Sequence, residues 1–126
     1  MYKLSKKSLS KLDGVHPDLA KVVKHAIKIC DVDFCVLEGM RTMARQKILV
    51  AAGASRTMKS RHLTGHAVDL GAMLNGKVRW DWPLYHRIAE AMKEAAIANK
   101  IIIEWGGDWK SFKDGPHFQL PWKEYP

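Results

Sequence analysis

Two segments constrain the fold of this chain more than any others: the run SRHLTGHAVDL from Ser60 to Leu70, and DGPHF at Asp114–Phe118. Both carry imidazole and carboxylate side chains, and a folded sheet could gather two imidazoles and a carboxylate from them around one metal ion. Asp114 adds a further carboxylate three residues before His117. Three nitrogen and oxygen ligands with one coordination position left open suit catalytic rather than structural zinc. The residues therefore point to a zinc hydrolase.

Length and composition allow this. A chain of 126 residues fits one domain with a real core. An apolar fraction of 47% with five tryptophans excludes a disordered tail. No window reaches the length of a membrane span. The start, MYKLSKKSLSKLDG, is basic but lacks the apolar stretch of a secretory signal. The formal charge of +8 favours acidic partners such as nucleic acid, anionic lipid or acidic wall polymer, without choosing among them. Its basic residues, including Lys6, Lys7, Lys24, Lys28, Arg45, Arg56, Lys59, Arg61, Lys100 and Lys110, are scattered rather than blocked. Cys30 and Cys35, among apolar neighbours, are expected to be buried and reduced.

The pattern predicts an amphipathic helix over Pro17 to Cys30, a short strand over Asp33 to Leu37 and a second helix over Thr42 to Ala52. Residues Gly53 to Thr64 read as a loop, and Ala67–Leu70 as a buried strand delivering Asp69. Asn75–Gly76 is a hairpin signal joining that strand to Lys77–Trp80. A long helix from about Pro83 to Asn99 follows, with strands at Ile101–Trp105 and His117–Leu120. This order gives an α+β fold: a small, mainly antiparallel sheet flanked by helices.

Each histidine has its own reading. His16, His25 and His86 fall at helix starts or in helices, with no carboxylate partner suggested by spacing, and are read as structural. His62 and His66 are four apart, but Gly65 lies between them and no glutamate follows His62. A zincin helix is therefore excluded. His62 would lead in from a loop and Asp69 project from the strand, leaving His66 outside the ligand set or exposed.

The string Ser60-Arg61-His62-Leu63-Thr64-Gly65-His66-Ala67-Val68-Asp69 resembles the S-x-H-x-x-G-x-A-x-D signature of the zinc D-alanyl-D-alanine peptidases, which have the hedgehog/DD-peptidase fold. Asp114-Gly115-Pro116-His117 resembles the second signature, and Gly39-Met40-Arg41-Thr42 with Gln46 resembles the G-x-R-T segment. Small size and the lack of a signal or wall-binding module look most like the phage endolysin branch. The resemblance implies one Zn²⁺ held by His62, Asp69 and His117, with Asp114 as catalytic acid/base. A carboxylate there would take the proton of the attacking water and pass it to the leaving amine. Arg41 matches the arginine that binds substrate or steadies the oxyanion. Ser60 either contacts substrate or fixes the His62 loop. Gln46 and Trp109 are candidate substrate contacts, while Trp105 and Phe118 are groove walls or core aromatics.

The resemblance further implies a single catalytic domain over 1–126, cleaving the L-Ala–D-Glu bond of the peptidoglycan stem peptide to lyse a bacterium. D-Ala-D-Ala carboxypeptidase activity is the alternative, followed by a non-catalytic zinc-binding module. A monomer is expected, held in the host cytoplasm and released to the periplasm and wall. Nucleic acid is not an expected partner; the anionic outer-membrane surface is a possible contact, and the tail Leu120–Pro126 is expected to pack. With only Asp108 and Asp114 acidic in the segment Trp105–His117, no calcium switch is expected.

Overall fold

The structure is a computed structural model that describes residues 1–55 and 57–126; Arg56, one of the scattered basic residues, lies outside the described residues. The chain runs α1 (Lys6–Lys11), α2 (Pro17–Ile29), β1 (Asp33–Glu38), α3 (Met43–Ala51), a 3-10 turn (Arg61–Thr64), β2 (Ala67–Leu74) and β3 (Lys77–Arg79). It continues through α4 (Trp82–Ala98), β4 (Glu104–Trp105), a second 3-10 turn (Gly106–Asp108) and β5 (His117–Gln119). The strands form one sheet in the order β1-β2-β5-β4, with β3 also on β2. Every pairing is antiparallel, as the α+β reading expected.

Local signals explain most boundaries. Pro17 opens α2, where His16 Nδ1 accepts the Asp18 amide at 3.1 Å. Thr42 Oγ1 caps α3 through the Arg45 amide at 3.1 Å. Asn75 and Gly76 both have positive φ, the requirement of a type I′ hairpin. Leu19, Val22, Val23 and Ala26 of α2 and Ile88, Met92 and Ala95 of α4 share the core with Phe34, Val36, Val68, Leu70 and Phe118. Each large side chain buried there contributes roughly 1.5–3 kcal/mol, enough for two amphipathic helices to hold one sheet face. The opposite face is free to carry polar chemistry.

One expected strand is corrected. Ile101–Trp105 is not a continuous strand: only Glu104 and Trp105 pair, because three-residue β5 offers them partners at Gln119 and Phe118. Ile101 instead closes α4, its amide reaching Ala96 O at 2.9 Å behind Lys100 at φ 57, and Ile102 is 54% exposed. The basic N-terminus also holds an unanticipated helix, α1. Ser5 caps it, Ser8 Oγ accepts the Val36 amide at 3.0 Å, and Lys11 Nζ donates to Leu37 O at 3.0 Å. Cys30 is buried, Cys35 half-buried, and neither forms a disulfide. The C-terminal tail packs: Tyr125 donates to Asp18 at 2.6 Å.

Candidate active site

Sheet register builds the site. Asp69 on β2 stands opposite His117 on β5, and opposite Glu38 on β1 on its other side. Residues directly across an antiparallel pair project from the same face, so Glu38, Asp69 and His117 form one row on the side away from the core. A bulge between Val36 and Glu38 puts Glu38 in that row. His62 enters from the adjacent 3-10 turn rather than an irregular loop, its amide held by Ser60 Oγ at 3.2 Å. Gly65, at φ +75, ends that turn. A Cβ there would lie 2.1 Å from Gly14 O, so the route from His62 to Asp69 requires glycine.

His62, Asp69 and His117 present three ligand atoms within 4.8 Å of one another. His62 Nε2 and His117 Nδ1 each lie 3.3 Å from Asp69 Oδ1. The other imidazole nitrogens fix the tautomers. His62 Nδ1 must donate to Gly39 O at 2.8 Å, and His117 Nε2 donates to Gln119 Oε1 at 2.8 Å. Lone pairs on His62 Nε2 and His117 Nδ1 therefore face a carboxylate, and His62 Nε2 is buried without a hydrogen bond. A buried acceptor aimed at other acceptors is costly unless a cation lies among them. The donor set of two imidazoles and one carboxylate suits zinc. Burial works to raise the Asp69 pKa, but protonated His117 and His62 rings, which would donate to it where no cation lies, outweigh this and hold it well below the ordinary carboxylate range. For His117, burial favours the neutral ring, but Asp69 and Gln119 shift its pKa upward overall.

Arg41 is buried beside the row. It donates to Glu38 through Nε at 2.7 Å and Nη2 at 2.8 Å, and its Nη2 also lies 3.7 Å from Asp69 Oδ2. The Arg41 amide is tied to His62 O at 2.8 Å. Arg41 Nη1 donates to Gln46 Oε1 at 2.7 Å, while Gln46 Nε2 donates to Ser55 Oγ and Thr57 O. Gln46 is 0% exposed with its amide engaged, so the substrate contact expected of it is replaced by support beneath Arg41. Ser60 holds the His62 turn and also lines the cleft.

A cleft of about 710 Å³ opens over these residues, lined in part by Arg41, Ser60, His62, Asp69, Trp109, Asp114 and His117. Asp114 is held by its amide on Gly106 O at 3.0 Å, and its carbonyl accepts the His117 amide at 3.2 Å. A Cβ on Gly106 would come within 2.4 Å of Asp114 O, so glycine lets the Asp114 loop close. Burial, then the charge of Asp69, raises the Asp114 pKa against the opposing pull of His117, His62 and Arg41. The Trp109 ring lies 5.2 Å from that of His117. Trp105 and Phe118 are core residues, with Trp105 Nε1 donating to Gly115 O at 2.7 Å.

The remaining histidines lie outside this group. His66 meets Thr64 Oγ1 at 2.7 Å and packs near His16, His25 meets Asn99, and His86 packs on Trp105. Glu38 and Gln119 are site residues that the sequence reading did not name. Gln119 was discoverable, since H-x-Q in a strand puts both side chains on one face. Glu38 was hidden by the bulge, which breaks the alternation that would have marked it.

The chain matches the family model described as phage L-alanyl-D-glutamate peptidase over residues 1–120. It is 32% identical over 117 residues to the L-alanyl-D-glutamate peptidase of Escherichia phage T5, covering 90% of this chain and 85% of that one. Identity to the L-alanyl-D-glutamate peptidase of Listeria phage A118 is 42% over 94 residues, 75% of this chain and 32% of the relative. The crystal structure of Serratia marcescens L-Ala D-Glu endopeptidase ChiX superposes with a TM-score of 0.92 at 54% identity, covering 96% of this chain and 91% of that one. Fold and sequence agree, and the chain belongs to the phage L-alanyl-D-glutamate peptidase family.

Proposed function

We propose that this protein is a zinc-dependent peptidoglycan endopeptidase that hydrolyses the L-Ala–D-Glu bond of the stem peptide. The observation that carries the zinc reading is the cluster of His62 Nε2, Asp69 Oδ1 and His117 Nδ1, three acceptors facing one another at the floor of a cleft. The bond assignment rests on the relatives, which are named for that activity. When bound, one zinc ion supplies Lewis acidity at the scissile carbonyl.

The chain's own groups do the rest. Asp114 takes a proton from the attacking water and returns it to the departing amine, so that neither a strong base nor an amide anion has to form. Partial burial keeps its pKa raised, which makes the carboxylate a better proton acceptor than an exposed aspartate. Arg41, clamped by Glu38 and Gln46, presents fixed positive charge beside the site, where negative charge develops on the carbonyl oxygen. Trp109 forms part of the wall against which the peptide lies.

Residues 1–126 would form one catalytic domain acting at the bacterial wall after release, in a lytic role. No helix among the described residues is long and apolar enough to cross a membrane. Mass spectrometry of muropeptides after digestion of purified sacculi tests the activity. New N-terminal D-Glu that disappears with a chelator is expected. Free D-Ala as the main product would replace this reading with carboxypeptidase activity.

A further inference from the structure

Trp122 lies beyond the 1–120 stretch shared with the family model, yet it lines the same cleft as Asp69 and Asp114. It is 53% exposed, and the guanidinium of Arg61 sits 4.0 Å from its ring centroid. Arg61 is itself buried and cannot swing away. Its Nε and Nη2 both donate to Leu120 O at 3.1 Å, and Nη2 also donates to Tyr125 O. Tyr125 in turn is anchored to Asp18 at 2.6 Å. The indole is thus backed on one face by a held cation, its chain neighbours Leu120 and Tyr125 are tied to that cation through their carbonyls, and part of its exposed surface lines the cleft. A broad apolar plane backed by a held cation and lining a polar site is suited to recognition, because an indole has few rotamers to lose when it is covered.

The chemistry of the substrate says what covers it, and here the inference rests on the proposed activity. Alanine and glutamate on either side of the scissile bond have no broad apolar face to set against an indole. The pyranose ring of the glycan does, on its C–H side. The scissile bond is the first peptide bond of the stem, joined to the sugar through one alanine and a lactyl group. Two such links span roughly 7 Å when extended, so the saccharide must lie at the rim of the cleft.

We propose that Trp122 is a glycan-binding platform that stacks on the sugar bearing the stem peptide. Lys59, Thr57 and Ser60, which line the same cleft, offer polar groups to its hydroxyl and acetamido substituents. The enzyme would then favour peptide still attached to its glycan over the released peptide.

The zinc-loaded protein is tested on a disaccharide tripeptide and on the same tripeptide freed of sugar by an amidase. The wild type is expected to prefer the glycan-linked substrate, and Trp122→Ala to lower that preference roughly tenfold, mainly through KM. Trp122→Phe, which keeps an aromatic plane, should retain most of the preference. Equal use of both substrates by the wild type, or equal losses on both in Trp122→Ala, would overturn the platform. A second measurement is independent of turnover: titration of the wild type with peptide-free glycan strands, reading the Trp122 indole N–H by NMR. A saturable shift supports the platform and its absence overturns it. Cleavage of neither substrate by the wild type would refute the endopeptidase reading instead, and the titration would still decide the sugar site.

Discussion

At the scale of single residues, the site is organised by charge pairs whose burial sets their strength. Asp114 is the carboxylate with freedom to act, because it has no bound cation of its own among the described residues, whereas Glu38 is clamped by Arg41. Replacing Asp114 by alanine should lower turnover of sacculi about a hundredfold to ten-thousandfold, the usual weight of general acid–base catalysis. Zinc content by elemental analysis and the thermal melt should stay near wild type; lost zinc would instead make Asp114 part of the metal site. Glu38 lends itself to a pH test. Its side-chain bonds to Arg41 outweigh burial and lower its pKa from 4.5. The stabilisation is therefore fully present above about 4.5 and fades as acidification passes through the folded-state value. Denaturant titrations of Glu38→Gln should show a protein less stable by roughly 1–3 kcal/mol at neutral pH, since Arg41 stays buried with a weaker partner. The gap to wild type should shrink as the pH falls from 4.5 through the lowered folded-state value and the native carboxylate becomes protonated. A gap independent of pH would contradict the ion-pair explanation.

Elements show what the chain's pattern reveals and what it hides. The Asn75–Gly76 hairpin, the Pro17 start of α2, the Thr42 cap and the strand carrying Asp69 were legible because each has a local cause in backbone conformation or capping. His62, Asp69 and His117 were legible through motif likeness, and register explains their meeting: Asp69 and His117 are directly paired across β2 and β5. Long-range causes were not legible. Helix α1 has no apolar stripe of its own and is held by Ser8 and Lys11 bonding to β1. Ile101–Ile103 has strand composition, but the partner strand is too short to pair with it. Gln46 looked like a substrate contact because nothing in the residue string shows that its amide is consumed beneath Arg41. The close packing of the Asp114 loop gives an element-scale prediction. Gly106→Ala must displace the Asp114 carbonyl, and should cost about 1–3 kcal/mol in the thermal melt while lowering turnover more than zinc affinity. Unchanged turnover would mean the loop tolerates the shift.

For the whole molecule, helices on one sheet face leave the other free for a cleft whose floor is tied to three separate chain segments. A cation at that floor would cross-link the 3-10 turn, β2 and β5, so binding should also stabilise the fold. At a hundredfold excess of free zinc over Kd the gain is about 2.7 kcal/mol, visible as a melting rise of several degrees that His117→Ala should abolish. An equal rise in that variant would place the binding elsewhere. If the proposed wall-lytic role holds, the formal charge of +8 would add long-range attraction to an anionic wall, and digestion of sacculi should weaken as salt rises.

The most direct test of the metal centre is anomalous X-ray diffraction from zinc-soaked crystals, recorded on both sides of the zinc edge. A single strong peak is expected about 2.0–2.2 Å from His62 Nε2, Asp69 Oδ1 and His117 Nδ1 together. No peak among these three atoms, or zinc bound only at other side chains, would contradict it.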